Sequence, residues 1–154
     1  VGYMVARPPV LARLLDRRHD GGNSVLAASI CAAFFRDRLW SHIAMTNAIL
    51  KDKRDAVFAG LEESVGDICT WSRPVGGMFV WVNFPEDVDR DRLMALCAER
   101  NIMVARGRRF HIHHEDVPAL RLAFGFASLE DIRDGVPLLG ECIQMARTQV
   151  SVLA

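Results

Sequence analysis

The hydrophobic period of this chain changes at Gly66, and that change limits it to a helical segment followed by a small unit of mixed strands and helices. Before Gly66, Val25, Leu26, Ser29, Ile30, Ala33 and Phe34 recur at helical spacing, and Leu39, Trp40 and Ile43 carry the pattern on. Ala27, Ala28, Ala32 and Ala33 leave room for another element to approach closely. The spacing predicts a second helical section from about Thr46 to Ser64, striped by Leu50, Val57 and Leu61. After Gly66 the period is two. Ile68 to Trp71 reads as a strand, Arg73 to Gly77 as a turn, and Met78 to Phe84 as a strand apolar on both faces and therefore central. Asp89 is placed to cap a helix carrying Leu93, Leu96 and Cys97, and Ile102 to Ala105 reads as a further strand.

Leu120 to Phe126 alternates. Leu120, Leu122, Phe124 and Phe126 face one way, while Arg121, Ala123 and Gly125 face the other. Ser128 caps the final helix, with Glu130 and Asp131 in its first turn and Pro137 inside it as an expected kink. At the other end, Gly2 to Ala6 reads as a buried strand. Pro8 and Pro9 open a helix striped by Val10, Leu11, Leu14 and Leu15, and Asp20 to Ser24 form a break. The chain begins at Val1 directly in that strand-like run, which reads as a piece cut from something longer.

At 154 residues, 51% hydrophobic and 25% charged, the composition is that of a soluble globular domain. The formal net charge of +0 gives no electrostatic case for binding nucleic acid or an anionic membrane. No apolar run reaches the roughly 18 residues of a membrane span, and the opening VGYMVARPPV does not read as a secretory signal. The four cysteines (Cys31, Cys69, Cys97 and Cys142) form no CxxC pair. Cys31, Cys97 and Cys142 lie among apolar residues as free buried thiols, which fits a reducing cytoplasm.

Four features invite a chemical reading. Arg121 shares its strand face with small residues, leaving space for a planar guanidinium that binds carboxylate bidentately. Pattern alone nonetheless favours an arginine on a solvated face, paired with an acid. Gly76 and Gly77 precede a strand without a helix N-terminus behind them, so a bend is preferred to a phosphate cradle. His111, His113, His114, Glu115 and Asp116 cluster like metal ligands, but no further ligand motif accompanies them, and no metal site is assigned. Lys51 and Lys53 are the only lysines, and both lie in the charged run LKDKRD as solvated groups.

Several segments, in order, resemble class I/II aminotransferases of fold type I, which depend on pyridoxal 5'-phosphate (PLP). VGYMVA with PP-LARLL resembles the strand and helix just downstream of the PLP-lysine region. RPVGGMFVWVNFP resembles RP-GGMFLWV-LP, ARGRRF resembles a PG-x-x-F loop, and ALRLAFGFAS-EDI--GV resembles LRLSFS-AS-EEI-EGV. The likeness runs from Val1 to about Ala146 and is strongest to 2-aminoadipate and broad-specificity aminotransferases and their regulator relatives. It departs at Arg106, where proline is usual, and at Arg108 and Arg109, which add positive charge.

The resemblance implies an α/β protein with an α+β small domain: a mainly antiparallel sheet covered by helices, plus a long inter-domain helix. Residues 1–23 would close the PLP-binding large domain, 24–64 would form the inter-domain helical region, 65–147 the C-terminal small domain, and 148–154 a tail. Arg121 would bind the substrate α-carboxylate. Arg17, Arg18 or Asn23 would reach the neighbouring subunit's site in a homodimer, with a solvated loop as the equal alternative, and Gly77 would lie near the pocket. The Schiff-base lysine would lie upstream of Val1, so no catalytic residue is expected here, and the isolated chain should neither bind PLP nor be active. The implied function is amino transfer from an amino acid to a 2-oxo acid in the cytoplasm. The alternatives are an effector domain behind a winged-helix DNA-binding domain, or a non-catalytic fragment.

Overall fold

The computed structural model describes residues 4–147. The chain divides into two compact units, residues 1–45 and 46–154. Helix α1 (Pro8–Leu15) opens on prolines, whose missing N–H costs nothing in the first turn, and it buries none of its residues. Helix α2 (Val25–Val65) is one helix of 41 residues, where two sections were expected. The correction is physical. Every residue from Val25 to Ala59 is neither proline nor glycine, so the backbone has no breaker at which to interrupt its hydrogen bonds. Within the first unit, α2 leaves Val25, Leu26, Ile30 and Trp40 largely exposed.

The strand expected over Gly2 to Ala6 is also corrected. Gly2 and Tyr3 lie outside the described residues, and Met4 to Ala6 carry no strand. A strand exists only as a partner in a ladder, and no ladder among the described residues includes them.

The second unit holds an antiparallel sheet of four strands, β1 (Thr70–Trp71), β2 (Phe79–Asn83), β3 (Ala105–Arg106) and β4 (Ala119–Ala123), in the order β1-β2-β4-β3. The two apolar strands β2 and β4 are central, as their composition requires. Their register sets Val80 opposite Leu122, Trp81 opposite Arg121, and Val82 opposite Leu120. Val80, Val82, Leu120 and Leu122 therefore share one face, and all are buried. That core takes in Val57, Leu61 and Val65 of α2, Leu93 and Cys97 of α3 (Arg90–Glu99), and Ile132, Leu139 and Ile143 of α4 (Leu129–Met145). Each fully buried aliphatic side chain of this set contributes about 1.5–3 kcal/mol.

Both later helices are capped as their sequences suggest. The Asp89 carboxylate accepts hydrogen bonds from the Asp91 and Arg92 amides, and Ser128 and Asp131 close a capping box on α4. Helix α4 runs through Pro137 as one element. No helix among the described residues is long and apolar enough to cross a membrane.

Three further expectations are corrected. The strand placed at Ile102 to Ala105 is only Ala105–Arg106, so β4 has no partner on that side beyond Arg121. The alternation of β4 stops at Ala123. Leu120, Leu122 and Phe124 are buried, but Phe126 lies past the strand end and is 103% exposed. Cys31 is half-buried, whereas Cys69, Cys97 and Cys142 are buried; all four are free thiols.

Candidate functional site

The face of the sheet opposite the core carries Phe79, Trp81 and Arg121. Alternation on β2 and β4 places them there, because their neighbours Val80 and Leu122 point inward. The Arg121 guanidinium lies between two aromatic rings. Its Cζ is 4.1 Å from the Phe79 ring centroid and 4.1 Å from that of Phe110. Phe79 comes from β2, and Phe110 from the loop that follows the 3-10 turn Gly107–Arg109. Trp81 meets the edge of Phe110 with centroids 6.2 Å apart, and the indole N–H donates to Asn83 Oδ1 at 2.9 Å. Such an aromatic sandwich fixes the plane of the guanidinium and leaves only its edge to a ligand.

Arg121 has no ion pair and no hydrogen bond among the described residues, and its Nε is buried without a partner. An unsatisfied buried donor costs about 1–3 kcal/mol. No acid of the second unit's described residues neutralises this cation, so the chain keeps a planar, uncommitted positive group on an open face. Phe79 and Phe110 are each 44% exposed, which marks that face as open.

The loop bearing Phe110 is tied at its neck. Arg106 Nε donates to Asp116 Oδ1 at 2.7 Å and Nη2 to Asp116 Oδ2 at 2.5 Å, a fork-to-fork pair across the loop. Arg106 Nη1 also donates to Asp91 in the first turn of α3, and Arg90 Nε lies 3.8 Å from Asp116 Oδ2. The Arg106 hydrogen bonds hold the Asp116 carboxyl below the usual carboxylate range, and the same pair raises Arg106. Gly107 forms the floor of the loop. A Cβ there would stand 2.7 Å from the Ala119 carbonyl oxygen and 2.9 Å from Val117 Cγ2, so only glycine permits the approach.

Because β3 is short, a cleft of about 740 Å³ opens beside β4, lined by Arg121, Arg109, Met103, Ala105, Phe126 and Asp134 among others. The other anticipated residues lie elsewhere. Gly77 sits at the bend before β2 with φ of 82°, exposed, with open space around it. Arg17 and Asn23 are exposed in the first unit, where the Arg17 amide closes the end of α1 on Leu14 O at 3.2 Å. Lys51 Nζ pairs with Asp55 at 2.8 Å, and Lys53 Nζ donates to the Gly125 carbonyl at 3.2 Å. Neither lysine lines the cleft.

The histidine cluster is not on a strand. His111 Nδ1 accepts from the Glu115 amide at 3.3 Å, and Asp116 is committed to Arg106. No group of three metal-ligating side chains gathers among the described residues. Sequence reasoning misses Phe79 and Phe110 as partners of Arg121, and it misses the pairing of Arg106 with Asp116. Only the alternation through Phe79 carries a signal, since Phe110 and Asp116 belong to an irregular loop.

Residues 1–134 match the family model for aminotransferase class I and II. An uncharacterized HTH-type transcriptional regulator of Bacillus subtilis (strain 168), YisV, is 31% identical over 92% of this chain and 29% of its own length. The aromatic-amino-acid aminotransferase 1 of Thermococcus litoralis is 28% identical over 94% of this chain and 35% of its own. The alpha-aminoadipate aminotransferase LysN of Thermus thermophilus superposes with a TM-score of 0.80 at 24% identity, covering 92% of this chain and 37% of that one. The chain thus spans about a third of the length of these relatives. By sequence and by fold, it belongs to the aminotransferase class I and II family.

Proposed function

We propose that this chain is the C-terminal part of a PLP-dependent aminotransferase that moves an amino group from an amino acid to a 2-oxo acid, and that Arg121 binds the substrate α-carboxylate. The observation that carries the reading is the Arg121 guanidinium, stacked between Phe79 and Phe110 and without an acid partner among the described residues. Its edge is set to take both oxygens of a planar carboxylate, which fixes position and orientation together. The aromatic rings exclude water from the guanidinium faces and so strengthen that charge-assisted contact.

The described residues do not fit attachment of PLP, because Lys51 and Lys53 are engaged away from the cleft. Binding and orienting substrate is therefore the role of this chain's residues. PLP, when bound in the complete protein, supplies the electron sink for amino transfer. In this reading the lysine that carries it belongs to the large domain. In this reading residues 1–23 complete that domain, 24–64 join it to the small domain at 65–147, and Arg17 or Asn23 reaches the second subunit of a cytoplasmic homodimer. Gly77 lies near the substrate.

The test is turnover by the complete protein with PLP, using a panel of amino acids with 2-oxoglutarate as acceptor. Arg121→Lys keeps the charge but loses the planar fork, and is expected to lower kcat/KM by about a hundredfold. Turnover unaffected by that change would remove the assignment.

A second reading has its own support, since HTH-type regulators stand among the relatives. In it the same site senses an amino acid behind a winged-helix domain. Amino acid binding that alters DNA affinity without net amino transfer would favour it.

A further inference from the structure

The loop from Gly107 to Pro118 has little regular structure. Its backbone is held by a few turn bonds, Phe110 N to Gly107 O at 2.8 Å and His114 N to His111 O at 2.9 Å. Yet this loop places the ring that covers one face of Arg121. What closes it is the pair at its neck. Arg106 enters the loop and Asp116 leaves it, and their two parallel hydrogen bonds join the ends. The third Arg106 contact, to Asp91, anchors that closure to α3. Among the described residues, no hydrogen bond or ion pair joins Arg106 or Asp116 to Arg121 itself.

We infer that the Arg106–Asp116 pair is a positioning device for Arg121, acting through Phe110: it holds shut the loop that seats the Phe110 ring on the guanidinium and thereby sets the affinity for a carboxylate-bearing ligand. The inference rests on the reading of Arg121 as the carboxylate site. The pair is half-exposed, with side chains 28% and 34% accessible, so it acts as a latch that salt weakens. Opening it frees Phe110 to leave the guanidinium face. The guanidinium then samples more orientations, and a ligand must restrict them on binding.

The experiment uses the complete protein carrying PLP. The probe is the tightest-binding of the twenty common L-amino acids, found by titration against the absorbance of the bound cofactor. Asp116→Asn keeps the shape and removes the charge. It is expected to speed tryptic cleavage after Arg108 and Arg109, both in the loop, by about tenfold, and to raise the amino acid Kd by about three- to tenfold. In a Phe110→Ala background, Asp116→Asn should leave Kd unchanged while still speeding cleavage, because the ring through which the pair acts is gone. Arg106→Lys, which keeps the charge but not the fork, should fall between wild type and Asp116→Asn in both readouts, and it serves if Asp116→Asn folds poorly. Faster cleavage with Kd within about twofold of wild type, or the full Kd increase in the Phe110→Ala background, would overturn the positioning role. Arg121→Lys distinguishes the premise. If it leaves Kd unchanged the carboxylate reading falls, whereas the cleavage readout still reports on the latch.

Discussion

The guanidinium carbon of Arg121 and the ring centroid of Phe110 stand 4.1 Å apart although ten residues lie between them in sequence. Removing the ring by Phe110→Ala takes away one face of the sandwich and its cation–π attraction, worth about 0.5–2 kcal/mol. In the complete protein, amino acid affinity should fall by about two- to thirtyfold. Phe110→Tyr, which keeps the π-face, should stay near wild type. Titration of bound PLP by absorbance measures both.

Asp116 gives a pH signature. Arg106 lowers its carboxyl in the folded state, so its contribution to stability is complete above the unfolded value of about 3.9. That contribution is lost as pH falls through the lower folded value. Wild type should therefore melt above Asp116→Asn at pH 6, and the gap should close as the pH drops toward 3. Melting curves of the two proteins across that range check the sign. A gap that widens in acid contradicts it.

Much of the sheet is legible in the sequence. The alternation of β2 and β4 follows from side chains that must choose between a buried and an open face, so Arg121 opposite Leu120 and Leu122 was readable from one strand. The single helix of α2 was not, because its apolar residues keep to no one face over all 41 residues, and such a pattern reads as two sections. The Phe110 and Asp116 contacts were invisible for a different reason. Irregular loops have no period, and the partner of Arg106 lies ten residues away across a turn whose path only tertiary packing decides. The departures in ARGRRF marked the right place without indicating what Arg106 does there.

Gly107 and Gly76 should respond oppositely to alanine. At Gly107 the new Cβ meets a backbone carbonyl at 2.7 Å, which cannot move without shifting β4. Gly107→Ala should cost about 1–3 kcal/mol. Gly76 has nothing within 4 Å and no positive φ, so Gly76→Ala should be neutral or stabilise by up to about 1 kcal/mol through the unfolded state. Denaturant titration of both variants separates the two cases.

The Ser128 cap joins β4 to α4, and its hydroxyl and Asp131 carboxylate satisfy each other's backbone amides. Ser128→Ala removes one acceptor at a helix start where the amides have no other partner, and it should cost about 1 kcal/mol. Ser128→Asp can accept the same hydrogen bond and should recover most of the loss, read as midpoint shifts in the same titration.

The four thiols should label in an order set by burial. Burial pushes Cys97 up to about 12 and Cys69 to about 11, with the nearby Asp67 carboxylate adding to the Cys69 shift. The thiolate is the reactive form, so at pH 8 these two hold almost none of it and are also shut away from reagent. Cys142 is fully buried beside Cys97 and is likewise closed to reagent. Cys31 alone of the four is half-exposed. Brief treatment of the folded chain with iodoacetamide, read by peptide mass spectrometry, should therefore modify Cys31 first, and the other three only when denaturant opens the core. Early labelling of Cys97 or Cys142 would mean that α3 and α4 separate more readily than their shared core allows.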